Sequence, residues 1–264
     1  MTALELAPAP GPAPALRMLA TMTAMELRLT LRRGESLLLT LVIPVVLLVF
    51  FAQVDVLGDG TGDRTGDPSR LDFLVPGVLA LAVMSTSMTG LAIATGFERQ
   101  YGVLKRLGAS PLPRVVLLAA KALAVLVVQL LQSGVITSVG LALGWRPAGG
   151  AAEVAGAVPL VLLGTAAFAG LGLLMAGTLR AEATLAAANG LYVVLLLVGG
   201  VLLPLARLPD GVRAVARLLP TSALSDGLRA ALSESAGLPV RPFVVLALWG
   251  AGALAAAAAT FRWE

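Results

Sequence analysis

The sequence predicts an all-α fold: a polytopic integral membrane protein with six transmembrane helices, an N-terminal interfacial helix and short amphipathic helices before the last span. Three observations carry this. Hydrophobic residues make up 58% of the chain and charged ones 13%, with a mean hydropathy of +0.93. An average soluble domain holds about 45–50% apolar and about 25% charged residues, so a chain this apolar needs lipid as its solvent. Six apolar runs meet or approach the roughly 20 residues that a span requires. Finally, Lys and Arg collect in alternate loops, as they do on the inner side of a membrane.

In chain order, residues 7–15 read Ala-Pro-Ala-Pro-Gly-Pro-Ala-Pro-Ala. Proline at every second position forbids a helix, and residues 1–14 are expected to be a disordered tail. No apolar core follows an N-terminal charge cluster, so a secretory signal is not expected. Residues 15–33 set Leu16, Leu19, Met22, Met25, Leu27 and Leu31 against Arg17, Glu26, Arg28, Arg32 and Arg33. That spacing suits a helix lying in the membrane interface, or else a helix packed on a partner. Residues 15–264 are read as a single membrane domain.

The expected spans are 36–53, 73–97, 115–143, 154–178, 183–206 and 243–261. The first is short and contains Pro44, which neighbouring helices can accommodate. Between the fifth and sixth spans, residues 208–220 and 221–232 read as two amphipathic helices split at Pro220, with Thr221 or Ser222 as an N-cap. They suit the outer surface or a dip into the bundle, with their arginines on lipid headgroups or a lumen.

Orientation follows from the short loops. Arg17, Arg28, Arg32 and Arg33 precede the first span, and Arg99, Lys105, Arg106 and Arg114 follow the second. The first loop has Arg64 and Arg70 against Asp55, Asp59, Asp63, Asp67 and Asp72, and the third has Arg146. Both termini are therefore expected in the cytoplasm of a multi-pass protein of the inner or plasma membrane. The fifth loop, with Arg207, Arg213, Arg217, Arg229 and Arg241, runs against that count. No internal repeat is visible, which argues against an inverted-repeat transporter.

The chain has no Cys and no His. Thiolate nucleophiles, imidazole bases and the commonest zinc ligands are excluded together. No Gly-x-Ser-x-Gly and no Gly-x-x-x-x-Gly-Lys-Ser/Thr occurs, so neither a hydrolase elbow nor a phosphate loop is expected. No catalytic, cofactor or metal site is expected, and the excess of four positive charges belongs to membrane loops rather than to nucleic acid.

Two groups of residues remain as candidates. Lys121 is the one cation inside an apolar run, about two turns past Arg114, and is expected to snorkel back to the cytoplasmic interface. On the same span Gln129, Gln132, Ser133 and Thr137 form a polar stripe at helical spacing. The stripe serves helix packing or a substrate path, and Asn189 in the fifth span, like Ser85, Thr86, Ser87 and Thr89 in the second, is open to the same two readings. The second group is the charged island at residues 97–114, with Glu98, Arg99, Tyr101, Gly102, Leu104, Lys105, Arg106 and Pro111. Residues 100–107 suit about two helical turns, Gly108 ends them, and Pro111 keeps them separate from the next span.

The run Glu98-Arg99-x-x-Gly102-Val-Leu-Lys-Arg-Leu-Gly-Ala-Ser-Pro111-Leu-Pro-Arg114, followed by Lys121, resembles that of the ATP-binding-cassette type-2 permeases, the membrane subunits of drug and polysaccharide exporters. Val103 stands where those permeases commonly have Thr, and Ser110 where Thr often precedes the proline. The Leu208-Pro, Leu219-Pro and Leu228-Arg pairs before the last span extend the resemblance over nearly the whole chain. It implies a permease without its own ATPase, working with a second permease copy in a homo- or heterodimer and with a separate ATP-binding-cassette ATPase subunit docked on residues 97–114. The small size and short loops look more like the drug-resistance exporters, with an amphipathic drug-like or lipid-like substrate. Alternative readings are a polysaccharide or glycolipid exporter permease, a membrane assembly or sensor protein that transports nothing, and an intramembrane enzyme.

Overall fold

The computed structural model describes residues 13–32, 34–53, 68–147, 151–201, 209–233 and 240–261. The expected tail at 1–14, apart from its last two residues, and the acidic loop at 54–67 lie outside them, as do Arg33, Arg64 and Arg207. Among the described residues every regular element is a helix. In chain order these are α1 (Ala15–Arg32), α2 (Gly34–Gln53), α3 (Pro68–Met84), a π-helical turn (Ser85–Gly90), α4 (Leu91–Gln100), α5 (Val103–Gly108), α6 (Arg114–Ala142), α7 (Ala151–Thr178), α8 (Ala181–Val198), α9 (Asp210–Ala216), α10 (Pro220–Ser233) and α11 (Val240–Thr260).

Among the described residues, five helices are long and apolar enough to cross a membrane: Arg70–Gln100, Arg114–Ala142, Val154–Thr178, Ala181–Val198 and Val240–Thr260. The chain is thus a polytopic membrane protein. The remaining expected span, 36–53, falls on α2, whose apolar part Thr40–Gln53 is roughly 21 Å long at 1.5 Å per residue. That is shorter than the hydrocarbon core of about 30 Å. Of the fifth expected span, 183–206, residues 202–206 lie outside the described residues; α8 stops at Val198, and Gly200 beyond it takes a φ of 71°.

Small residues let the closest helices of the core approach. The most extensive helix pair is α7 with α11. A Cβ on Gly170 would come within 2.8 Å of the Ala253 Cβ, so only a hydrogen at this position lets the two backbones approach. Gly172 does the same toward the π-helical turn, where a Cβ would lie 2.7 Å from the Met88 carbonyl oxygen. The turn carries Ser85, Thr86, Ser87 and Thr89. Its i→i+5 register misaligns backbone groups, and such turns inside long helices recur at functional sites.

At one end of the bundle, hydrogen bonds tie several helix termini together. The Arg99 guanidinium donates to the Leu179 carbonyl beyond α7, Gln100 Nε2 donates to Glu182 Oε1 on α8 at 2.8 Å, and Arg114 Nη1 donates to the Phe261 carbonyl beyond α11 at 3.3 Å. Guanidinium groups at helix C-termini complement the negative end of the helix dipole. Helix α5 hangs from this basic end. At the opposite end Gly144, with φ 97°, closes α6. Trp145 is buried there, donating from Nε1 to Asp72 Oδ1 at 2.9 Å.

Helix α10 packs between α3, α7 and α11. It begins at Pro220 itself, a favoured first helical position, and neither expected cap acts as one. The Thr221 hydroxyl lies 3.7 Å from Met84 Sδ, and Ser222 Oγ has no partner. Of the arginines expected on lipid or in a lumen, Arg229 instead donates to the Gly200 and Val201 carbonyls at 2.8 and 3.0 Å and lies 3.9 Å from the Phe73 ring centroid. It holds the turn that follows α8, while Asp226 sits at 3.8 Å as its counter-charge.

Candidate functional site

Near the basic end, three charged side chains from three separate helices meet. Lys121 of α6 is 2% exposed, and its ammonium contacts Glu26 Oε1 of α1 at 2.7 Å and Glu98 Oε2 of α4 at 2.6 Å. The expected snorkelling does not occur. A buried ammonium with two carboxylates in reach is stabilised by pairing more than by stretching an aliphatic chain toward water. Glu26 lies 95 residues away in sequence, on the polar face of a helix read as interfacial. An acid on that face and a base in an apolar run are the only sequence signals for the pair.

The triad borders a cleft of about 600 Å³ between α1, α2, the π-helical turn with α4, and α6. The π-helical turn presents Ser85, Thr86 and Thr89 to this space, and Ile93, Val125 and Val128 give it apolar walls. The volume falls within the roughly 300–1,000 Å³ of small-molecule sites. Thr95 lines the cleft, and its hydroxyl is wholly shielded from solvent without a hydrogen-bond partner; the Thr89 hydroxyl also has none.

The polar stripe of α6 separates into two parts. Gln132 is buried and works as a clamp: it accepts from the Thr86 hydroxyl at 3.0 Å and donates to the Thr40 carbonyl at 2.6 Å, joining α6 to the π-helical turn and to α2. Gln129 is buried too and donates to Ser133 Oγ at 3.3 Å, while its Oε1 has no partner. Thr137 is half-buried one turn further on. Asn189 is not brought to the stripe. It is exposed on α8, which packs on α4, the π-helical turn and α7, and it donates to Leu185 of its own helix.

The island at 97–114 forms a short helix, but not over 100–107. Tyr101 and Gly102 make a turn with Gly102 at φ 72°, and α5 then runs from Val103 to Gly108. The left-handed φ breaks the path from α4 into α5 and is open to glycine at little cost. Tyr101 (72% exposed), Lys105, Arg106 and Pro111 face outward, whereas Leu104 is fully buried beside Leu91, Leu117 and Phe261. Leu104 therefore fixes α5 to the bundle, and the exposed residues face away from it. Glu98 and Arg99 point inward from the same segment, one to Lys121 and the other to Leu179.

Residues 17–233, from α1 through the end of α10, match the ABC-2 type transporter membrane family. The chain belongs to that family. It is a membrane permease subunit of an ABC-2 type transporter, without an ATPase of its own, and permeases of this kind work with an ATP-binding cassette subunit. No curated protein matches the chain. In this permease, the Glu98-Arg99 pair that opens the basic run holds α4 to α1, α6 and α7, and the exposed helix hangs directly beyond it.

Proposed function

We propose that this permease is an exporter subunit that moves an amphipathic, drug-like or lipid-like substrate out of the cell. ATP is hydrolysed by a separate subunit, and two permease copies enclose the pathway. The basic end, with α5, faces the cytoplasm together with both termini, in keeping with the excess of Lys and Arg there. The observation that carries the reading is the construction of α5. Tyr101, Lys105, Arg106 and Pro111 are presented to solvent, while the same segment is tied into the bundle through Leu104, Arg99 and Glu98. A segment that is exposed on one side and anchored on the other suits the transmission of force from a soluble motor.

The test replaces two exposed apolar residues and keeps every charge. Tyr101→Ser with Val103→Ser leaves the loop as basic as before, so insertion is expected to proceed. Co-purification of the ATPase subunit and ATP-driven export are expected to be lost. Normal ATPase capture and export by this double variant would reduce the segment to a topological loop. A periplasm-active reporter is expected to work when fused after Gly62 and to stay silent after Ala109; the reverse pattern sinks the orientation.

A further inference from the structure

We infer that the cleft beside Lys121 is the receiving site for the head of a cationic amphiphile, an amine or onium group on an apolar body. The inference rests on the exporter reading above and supplies the charge class of its substrate. The first argument is charge. Two carboxylates face one ammonium, and each uses one oxygen on it, Glu26 Oε1 at 2.7 Å and Glu98 Oε2 at 2.6 Å. Among the described residues the second oxygen of each has no partner. Both carboxylates are slightly open, at 13% and 16% exposure, whereas the ammonium is closed off at 2%. The charge presented to the cleft is therefore negative by one unit. A net charge held in surroundings of low polarity is costly until a counter-charge joins it.

The second argument is shape. Phe97 and Tyr101, stacked with centroids 6.1 Å apart, border the cleft near the two acids. Aromatic faces beside carboxylates favour an onium head. Ile93, Val125 and Val128 then offer an apolar wall for the body. An anionic amphiphile meets the wrong sign, since the nearest ammonium is already saturated by two acids.

The test uses the full-length permease in dodecyl maltoside, an uncharged detergent, with radiolabelled tetraphenylphosphonium as probe and protein-free micelles as blank. The wild-type chain is expected to retain the phosphonium and not its neutral relative, triphenylphosphine oxide. Glu26→Gln and Glu98→Gln each leave Lys121 with one acid and are expected to weaken retention about tenfold, the scale of one charge-assisted contact. Ile93→Trp leaves all three charges in place and fills the apolar wall, and it is expected to block retention. Equal retention of the neutral relative, or unchanged retention in both Glu98→Gln and Ile93→Trp, would overturn the inference. Displacement of the probe by phosphatidylethanolamine would assign the site to a resident lipid and overturn it as a substrate site. The measurement needs no ATPase, so its failure leaves the docking of α5 intact, and loss of docking leaves the cleft intact.

Discussion

Helices α5 and α10 are both short and both amphipathic by pattern, yet they end in opposite surroundings. Helix α5 exposes Lys105 and Arg106 and buries Leu104 alone. Helix α10 buries Thr221, Ser222, Ala223, Leu224, Ser225, Leu228 and Leu232 among α3, α7 and α11. The difference lies in the polar residues. A hydroxyl loses little on burial when an acceptor is near, as Ser225 Oγ finds the Gly199 carbonyl at 3.2 Å. Lys and Arg are seldom fully buried without a partner. An amphipathic helix whose polar face is Ser and Thr can be inserted between spans, and one whose polar face is Lys and Arg stays at the surface. Arg229 fits the rule from the other side, since it is admitted with two carbonyls, an aromatic ring and Asp226 around it.

This contrast is open to direct attack. The largest effect is expected at the base behind α5, where a cation is buried: Lys121→Met leaves Glu26 and Glu98 without their shared ammonium and is expected to cost about 3–5 kcal/mol, the scale for breaking a buried ion pair. Thermal unfolding in detergent would register it, and a melting curve equal to wild type would mean that the triad contributes nothing to the fold. Next comes Leu224→Ala in α10. Leu224 is fully buried against Gly164, where the helices have no slack, so about 2–5 kcal/mol is expected. Leu104→Ala in α5 should fall at the low end, about 2 kcal/mol, because a six-residue helix at the rim is free to settle into the space. If the two leucines exchange rank, the assignment of α10 as the inserted helix is wrong. The smallest effect belongs to Lys105→Ala with Arg106→Ala, expected within about 0.5 kcal/mol of wild type while weakening capture of the ATPase subunit.

Much of the bundle was legible because its causes are local. Apolar runs of span length and the break between helices at Pro220 are signals read a few residues at a time. The same holds for the far limit of the α5 segment, marked by Gly108, Pro111 and Pro113, whereas the turn at Gly102 reads in the sequence as part of the helix. What stayed hidden depends on distant residues meeting. Lys121 and Glu26 are 95 residues apart, and the tie of Gln132 to Thr40 crosses 92. The periodicity of α6 tells which residues share a face and is silent on which helix lies opposite. The π-helical turn was hidden for the same reason. Its hydroxyl-rich sequence fits an ordinary helix equally well, and the close approach of Gly172 to its carbonyls is a property of the packed pair. The inward direction of Leu104 was likewise beyond the reach of a six-residue pattern, since so short a helix samples each face once or twice.

The ties at the basic end have a mechanical meaning. Arg99, Gln100 and Arg114 fasten the end of α4 and the start of α6 to the ends of α7 and α11 and the start of α8. These bonds make two groups, α4 with α7 and α8, and α6 with α11, and the Lys121–Glu98 pair joins the groups into one plate. A load taken up by α5 in the proposed docking would be shared across that plate before any single helix tilts. Helices α1 and α2 stand outside the lacing: α1 reaches α4 and α6 through Glu26, and α2 reaches α6 and the π-helical turn through Thr40. The α1–α6 side is thus held by packing along the helices and by a buried ion pair, whereas the plate is held by bonds at the helix ends.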